Sequence, residues 1–548
     1  MTQRTDFGVL YGQKTTGEDS LLIYSSYEDA KASPKKGDFI VLTPKNEYGH
    51  KYLARVEAEI YDEDPIFRSQ DKTLVAVHYA RIAERELSER DKQKMFSYTY
   101  KVQMLGTFHD KGTSIEFTTA VRKLPVVSYH ARHLNQREFD YIINNQNTSG
   151  KPIGYLCIGE EVDKDKKVLF DVERLRSRRT MVFAQSGFGK TNLVKVLLYH
   201  AMNDKKFGKL IFDLNGEYVL DSEQTKGLGS TDKAEDLVFY TDKRIVTASQ
   251  TMFQFAGKVR LNMHQDLTVG DILTFGAGFS EVMKSFLLYL DDEGVGDFVE
   301  NLDYYANNPQ EVRKKYPDFW SEPKSQAGDK PQKEDADDKS ARKTISAIRK
   351  RLKHLINEGH LHDPKSQMVD DIFEKLRKGK TVVIDLSLKD SVDASIISTI
   401  IVRKLFEHNK KVYTEQSENV IESVIFVEEA QNVLSSELVR TNANPFVRTA
   451  KEGRKFGIGM VTITQRPSAI SDEIRTQAEN FFVLHMGNSD DVKSLIQSNI
   501  HYDGVIASFI QRETIKGNLY LVTSDSPFAI PLRVDEFEKM NVRTEKRL

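Results

Sequence analysis

Between Met181 and Met202 the chain reads MVFAQSGFGKTNLVKVLLYHAM, in which side chains suited to holding a phosphate are packed into a few positions. Gly187 and Gly189, flanking Phe188, let backbone N–H groups crowd round an anion. Lys190 adds a point charge, the Thr191 hydroxyl can ligate Mg²⁺, and Asn192 follows in the first turn. An apolar run before the loop and a helix-length segment after it give strand, loop and helix, with the helix N-terminus directed at the anion. The stretch AQSGFGKT is a P-loop one residue from the usual form, with Ala184 where the pattern opens on Gly.

Phosphoryl transfer from a nucleoside triphosphate needs a carboxylate near the metal and a second one for the attacking water. Three candidate strands end in an acid. Asp213 in LIFDLNGEY is followed by Glu217, Asp385 in TVVIDLSL has no acidic neighbour, and SVIFVEEAQN ends in Glu428 and Glu429 side by side. Only the last supplies both groups, so Glu428 is assigned to Mg²⁺ and Glu429 to water. Glu428 stands where Asp is usual, which leaves open which glutamate does which job. The next strand, GIGMVTITQRP, ends in Thr464 and Gln465, placed to sense a γ-phosphate or orient water. Before it, FVRTAKEGRKFG carries Arg448, Lys451 and Lys455 on one helical face with Arg454 close by. In ring ATPases such an arginine reaches the neighbouring subunit's nucleotide.

The elements that position these groups follow from periodicity. Short segments rich in β-branched and aromatic residues between Phe7 and Tyr129 favour an antiparallel barrel or sandwich, interrupted by a charge-dense, helical Glu84–Lys94. Arg132 to Ile143 reads as a short helix and Asn144 to Gly150 as a linker, placing a domain of residues 1–150 before one of 151–548. In the second, strands at Lys209–Asp213, Leu237–Tyr240, Thr381–Leu386, Ser423–Val427, Gly459–Thr464, Phe481–Leu484 and Asn518–Val522 alternate with helices, the pattern of a parallel α/β sheet. A helical insertion is expected over about 269–380, containing a polar loop at Ser321–Ala341 and then an amphipathic basic helix with Ile345, Ile348, Leu352 and Leu355 on its apolar side. A C-terminal segment covers about 515–548.

Composition sets outer limits. The 548 residues are 39% hydrophobic with a net charge of −2, so any polyanion partner must be met by local patches. A single cysteine, Cys157, excludes an intrachain disulfide framework, and no signal-peptide core or membrane-length run is present, which points to a cytoplasmic protein without a membrane partner. The 13 histidines show no metal-ligand spacing, and His360 and His362 read as solvated.

The series AQSGFGKTN, IFDLNGEY, VIFVEEAQNVL and KEGRKFGIGMVTITQRPSAISDEI resembles the HerA branch of the HerA/FtsK ATPases, from about Gly154 to the C-terminus. The resemblance implies an α/β RecA-like core behind a small β-barrel, a homohexameric ring, ATP hydrolysis with Mg²⁺ at subunit interfaces and translocation on double-stranded DNA. It implies that Arg454 acts in trans, that Asp213 and Glu217 lie near the nucleotide, and that Arg178 or Arg179 is a further nucleotide-site arginine. Relatives of this kind work with a nuclease or, in antiphage systems, with a sirtuin-like or nuclease effector. Near-neutral charge keeps a second possibility open, a nucleotide-dependent ring scaffold that gates an effector with little translocation.

Overall fold

The computed structural model describes residues 6–13, 20–26, 34–45, 50–63, 96–145, 149–223, 225–244, 253–275, 279–290, 292–315, 331–356, 360–441 and 444–540. Contacts divide the chain into two compact units. One gathers Met1–Asp171, Phe183–Lys190 and Asn480–Asp535; the other gathers Val172–Val182, Thr191–Glu479 and Glu536–Leu548.

The first unit opens with β1 (Asp6–Gln13), β2 (Ser20–Ser26), β3 (Phe39–Thr43), β4 (Lys51–Glu63), β5 (Phe96–Asp110), β6 (Ile115–Thr118) and β7 (His130–His133). Their order is β2-β1-β7-β3-β4-β5-β6, and β2 also pairs with β5. Six strands therefore close into a barrel, leaving no open edge among them, with β6 lying outside on β5. Inward positions carry Phe7, Ile23, Ile40, Ala54, Tyr100 and Val102, all fully buried. The expected helix at Arg132–Ile143 is shorter than its sequence suggests. Arg132 lies in β7 opposite Val41, and the helix runs only over Gln136–Ile142, because Asn135 accepts from the Glu138 N–H while the Glu138 side chain takes the Asn135 N–H. The segment PVVSY turns instead of extending, with Ser128 at φ 80°. The expected helical interruption at Glu84–Lys94 lies outside the described residues. After the barrel, β8 (Lys151–Ile158) and β9 (Glu161–Phe170) form an antiparallel hairpin.

The second unit holds β10 (Arg179–Phe183, its last residue grouped with the first unit), β11 (Gly208–Asp213), β12 (Leu237–Tyr240), β13 (Gln254–Gly257), β14 (Thr381–Asp385), β15 (Ser423–Val427) and β16 (Ile458–Thr464). The order β13-β12-β14-β11-β15-β16 runs parallel, with β10 beyond β16. Nearly every residue of β11, β14, β15 and β16 is buried, as befits strands covered on both faces. The strand leading to the paired glutamates is thus separated from the P-loop strand by β16, which leads to Gln465, and this is the RecA-like arrangement. Between β13 and β14 lies a set of helices that includes Glu281–Tyr289, Leu302–Asn307, Pro309–Lys315, Pro331–Ile356 and Met368–Arg377. Of the polar stretch expected as a loop at Ser321–Ala341, residues 321–330 lie outside the described residues, and from Pro331 onward the chain is helical.

The chain then returns to the first unit in β17 (Asn480–Val483), β18 (Asn518–Thr523) and β19 (Ser526–Val534), which pair antiparallel and continue onto β8 in the order β17-β18-β19-β8-β9. Arg55 of β4 is 2% exposed; its guanidinium lies 4.8 Å from the Phe39 ring centroid and donates to the Ala529 carbonyl, joining barrel and β19. Among the described residues no helix is long and apolar enough to cross a membrane.

Lys209 in β11 is fully buried, donates to the carbonyls of Asp204 at 2.5 Å and Gly379 at 3.0 Å, and sits 5.0 Å from the Phe207 ring centroid. Burial pushes its ammonium from 10.5 down to about 8. Below pH 8 folded and unfolded chains are both protonated and the desolvation cost is constant. Between about 8 and 10.5 the unfolded chain keeps a proton that the folded chain has lost, so stability rises with pH. The stability of the natural chain relative to Lys209→Met should rise across that window by up to about 3 kcal/mol. Urea unfolding of both proteins at several pH values measures it, and a flat difference refutes it.

Candidate nucleotide site

In the first unit, the loop after β10 takes its shape from two glycines and a set of ties to the chain beyond β17. Gly187 and Gly189 have φ of 84° and 98°, values that glycine adopts without strain. The Gln185 N–H donates to the His485 carbonyl at 2.9 Å, and the Phe188 carbonyl accepts from the Gly517 N–H at 3.2 Å. The Phe188 ring lies 4.2 Å from that of His485. Ala184 is fully buried at the end of the strand, so the methyl that replaces the usual glycine hydrogen is accommodated in the core.

In the second unit, β11 ends at Asp213, whose carboxylate is spent on its own turn. Oδ1 accepts from the N–H groups of Asn215, Gly216 and Glu217 at 3.3, 2.7 and 3.2 Å, and Oδ2 from Tyr218 N–H at 3.0 Å. Burial pushes its pKa up while these hydrogen bonds pull it down. The turn sends two consecutive side chains to different partners. Glu217 Oε2 accepts from the Thr191 hydroxyl at 3.0 Å, and the buried Tyr218 hydroxyl donates to Glu428 Oε1 at 2.7 Å. Burial and the adjacent Glu428 hold the Tyr218 hydroxyl well above its ordinary value, so it stays a donor. Thr191, Glu217, Tyr218 and Glu428 are thereby gathered by one dipeptide.

Glu428 is 6% exposed at the end of β15. Glu429 follows in the left-handed region at φ 47°, ψ 44°, a conformation that costs a non-glycine residue on the order of 1 kcal/mol or more and that turns its side chain sharply out of the strand line. Glu429 Oε2 accepts from Gln431 at 2.7 Å and Oε1 from Gln465 at 3.3 Å, while the Thr464 hydroxyl donates to Gln431 Oε1 at 2.6 Å. The ends of β15 and β16 are thus linked by side-chain amides. Asp385, the third strand-end acid, is engaged by Thr241 and Ser387 hydroxyls at 2.7 and 2.6 Å and by Lys243 at 3.2 Å.

Other sequence-predicted residues lie elsewhere. Asn192 Oδ1 accepts from the Phe537 N–H at 2.8 Å, which holds the C-terminal 3₁₀ turn Phe537–Lys539 on the helix Lys190–Ala201. Arg179 donates to the carbonyls of Ala450 and Lys451. Arg178 and the exposed Arg454 both bind Glu479, at 3.2 and 2.5 Å. His362, read as solvated, is buried and accepts from Met263 N–H at 3.1 Å, whereas His360 is exposed and bonded to Asp393 at 2.7 Å. Tyr218 and Gln431 were not singled out from sequence, although both sit within the stretches DLNGEY and EEAQN.

The model of the family Helicase HerA, central domain, matches residues 153–405, and that of the Zonular occludens toxin family matches residues 341–488. The DNA double-strand break repair helicase HerA of Sulfurisphaera tokodaii is 24% identical over 403 residues, 70% of either chain. Over these stretches the chain is similar to HerA, in keeping with a P-loop ATPase. The HerA of Saccharolobus solfataricus is 22% identical over 402 residues, 70% of this chain and 69% of the relative. A probable helicase of Methanocaldococcus jannaschii is 22% identical over 561 residues, 97% of this chain and 96% of the relative. Among solved structures, VirB4 of Thermoanaerobacter pseudethanolicus is 15% identical with a TM-score of 0.38, covering 71% of this chain and 97% of that one. The plasmid coupling protein TrwB in complex with ADP and Mg²⁺ is 13% identical with a TM-score of 0.39, covering 72% and 97%.

Replacing Tyr218 by Phe removes the buried donor on Glu428 with almost no change of volume. It should lower kcat about 10- to 100-fold while leaving far-UV circular dichroism unchanged. Steady-state ATPase kinetics measure the effect, and undiminished turnover would show that the hydroxyl plays no part.

Proposed function

We propose that the protein is a homohexameric, ATP-driven motor that moves double-stranded DNA through its ring and works with an effector enzyme, of the nuclease or sirtuin-like kind, in DNA processing or antiphage defence. The observation that carries the ring is the placement of Arg454 against Gln465. Arg454 lies in the 3₁₀ turn Gly453–Phe456 before β16, and Gln465 follows its far end. The seven residues of β16 separate them by roughly 20 Å, beyond the reach of one guanidinium. With a side chain 65% exposed, Arg454 is suited to a neighbour's nucleotide, not its own. The DNA substrate rests on the relatives, which are named as helicases of DNA double-strand break repair.

In this reading Lys190 and the N–H groups around Gly187 to Gly189 hold phosphate oxygens, and the helix Lys190–Ala201 directs its positive end at them. The oxygens of Thr191 and Glu428, a hydroxyl and a carboxylate at the ends of a helix and a strand, are the hard donors that Mg²⁺ takes, and bound Mg²⁺ would neutralise charge on the phosphates. Glu429, oriented by Gln431 and Gln465, accepts the proton of the attacking water. Arg454 of the next subunit stabilises charge developing on the transferred group, and Arg178 shares its Glu479 anchor.

Lys190→Ala should abolish ATP turnover. Arg454→Ala and Glu429→Ala should each be inactive alone, and mixing them should restore part of the activity, because some interfaces then draw an intact residue from each neighbour. Absence of rescue in rings shown to contain both variants would exclude the trans role. Duplex DNA should stimulate the ATPase, with stimulation falling steeply as salt rises; hydrolysis indifferent to DNA would exclude the motor.

A further inference from the structure

The helix Pro331–Ile356 carries a charge pattern that the ATPase site does not use. From Ser340 to Ile356 it contains six lysines and arginines and no aspartate or glutamate, in a chain whose net charge is −2. An ordinary surface helix intersperses acids three or four residues from its bases and gains a few tenths of a kcal/mol from each pair. Here Lys350 and Lys353 stand three apart with like charge and no acid within reach along the helix.

The six cations divide into two groups. Ala341, Ile345, Ile348 and Leu352 are buried, and the helix packs with them toward Leu302–Asn307, Pro309–Lys315 and Glu281–Tyr289. The arginines are tied to this scaffold. Arg342 donates to the Asn307 carbonyl at 3.1 Å and Arg349 pairs with Asp303. Arg351 donates to the Ala347 carbonyl at 3.1 Å and lies 5.7 Å from the Phe279 ring centroid. Lys343, Lys350 and Lys353 are exposed and have no ion pair among the described residues. At 100° and 1.5 Å per residue they fall within an arc of about 80° and along about 15 Å of the helix. Along the duplex axis each strand carries one phosphate per about 3.4 Å, so a stripe of that length spans about four of them, enough for each lysine to meet one.

We propose that Lys343, Lys350 and Lys353 contact the phosphate backbone of duplex DNA, with the arginines fixing the helix that presents them. The proposal rests on the motor reading above. Lysine, a hydrated point charge on a flexible stem, suits sequence-independent backbone contact that must be made and released repeatedly.

The test is the salt dependence of binding to a blunt duplex by the full chain, for the natural protein and for Lys343→Gln/Lys350→Gln/Lys353→Gln. The slope of log K against log salt should become shallower by about 2 to 3, with ATPase measured without DNA unchanged. Lys123→Gln/Lys164→Gln/Lys410→Gln, which removes three exposed lysines elsewhere, should leave the slope as it was. An unchanged slope in the stripe variant, or an equal fall in the second variant, overturns the proposal while the natural protein's own steep slope leaves the motor reading standing. If the natural protein binds no DNA, both fall together.

Discussion

The four backbone N–H groups gathered by Asp213 are the constraint on which the candidate nucleotide site depends. A tight turn after a buried strand leaves donors pointing inward, and each one left unsatisfied would cost on the order of 1 to 3 kcal/mol. One carboxylate satisfies those of Asn215, Gly216, Glu217 and Tyr218. Fixing that backbone fixes the departure of two side chains, Glu217 toward the hydroxyl at the start of the P-loop helix and Tyr218 into the core toward Glu428. Asp385, its register partner in β14, repels Asp213 and is itself compensated by Lys243, Thr241 and Ser387. Two of three strand-end acids are therefore consumed in holding structure, and the third strand end presents its pair.

How far this was legible in the sequence varied with the kind of signal. The buried parallel strands announced themselves as apolar runs at Leu210–Phe212, Val382–Ile384 and Val424–Val427, and the P-loop through glycines whose positive φ the structure uses. Strand β9, EVDKDKKVLF, was missed because much of its length is polar and exposed, and its place is dictated by pairing with β8. The single letter D cannot reveal whether a carboxylate faces its own backbone or a ligand, so the structural task of Asp213 was invisible. Asn192 shows the converse. Its position after Lys190 and Thr191 suggested nucleotide, whereas its amide oxygen holds a turn 345 residues away in sequence. Gln431 and Tyr218 gain meaning only once β11, β15 and β16 lie side by side.

The polar stretch ending at Ala341 illustrates a different limit. Its lack of large apolar residues reads as a loop, yet the helix runs from Pro331 and carries buried apolar side chains from Ala341 onward. Long-range packing of Ile345, Ile348 and Leu352 supplies what local composition lacks.

Strand β16 has a geometric consequence. It is buried along its whole length, held by β15 on one side and bonded to the β10 segment at Arg178 and Thr180 on the other. Gln465 follows one end of the strand and the turn carrying Arg454 precedes the other, so the length of β16 sets the distance between them. On the trans role proposed for Arg454, that one strand would set the spacing between a subunit's own nucleotide and its neighbour's.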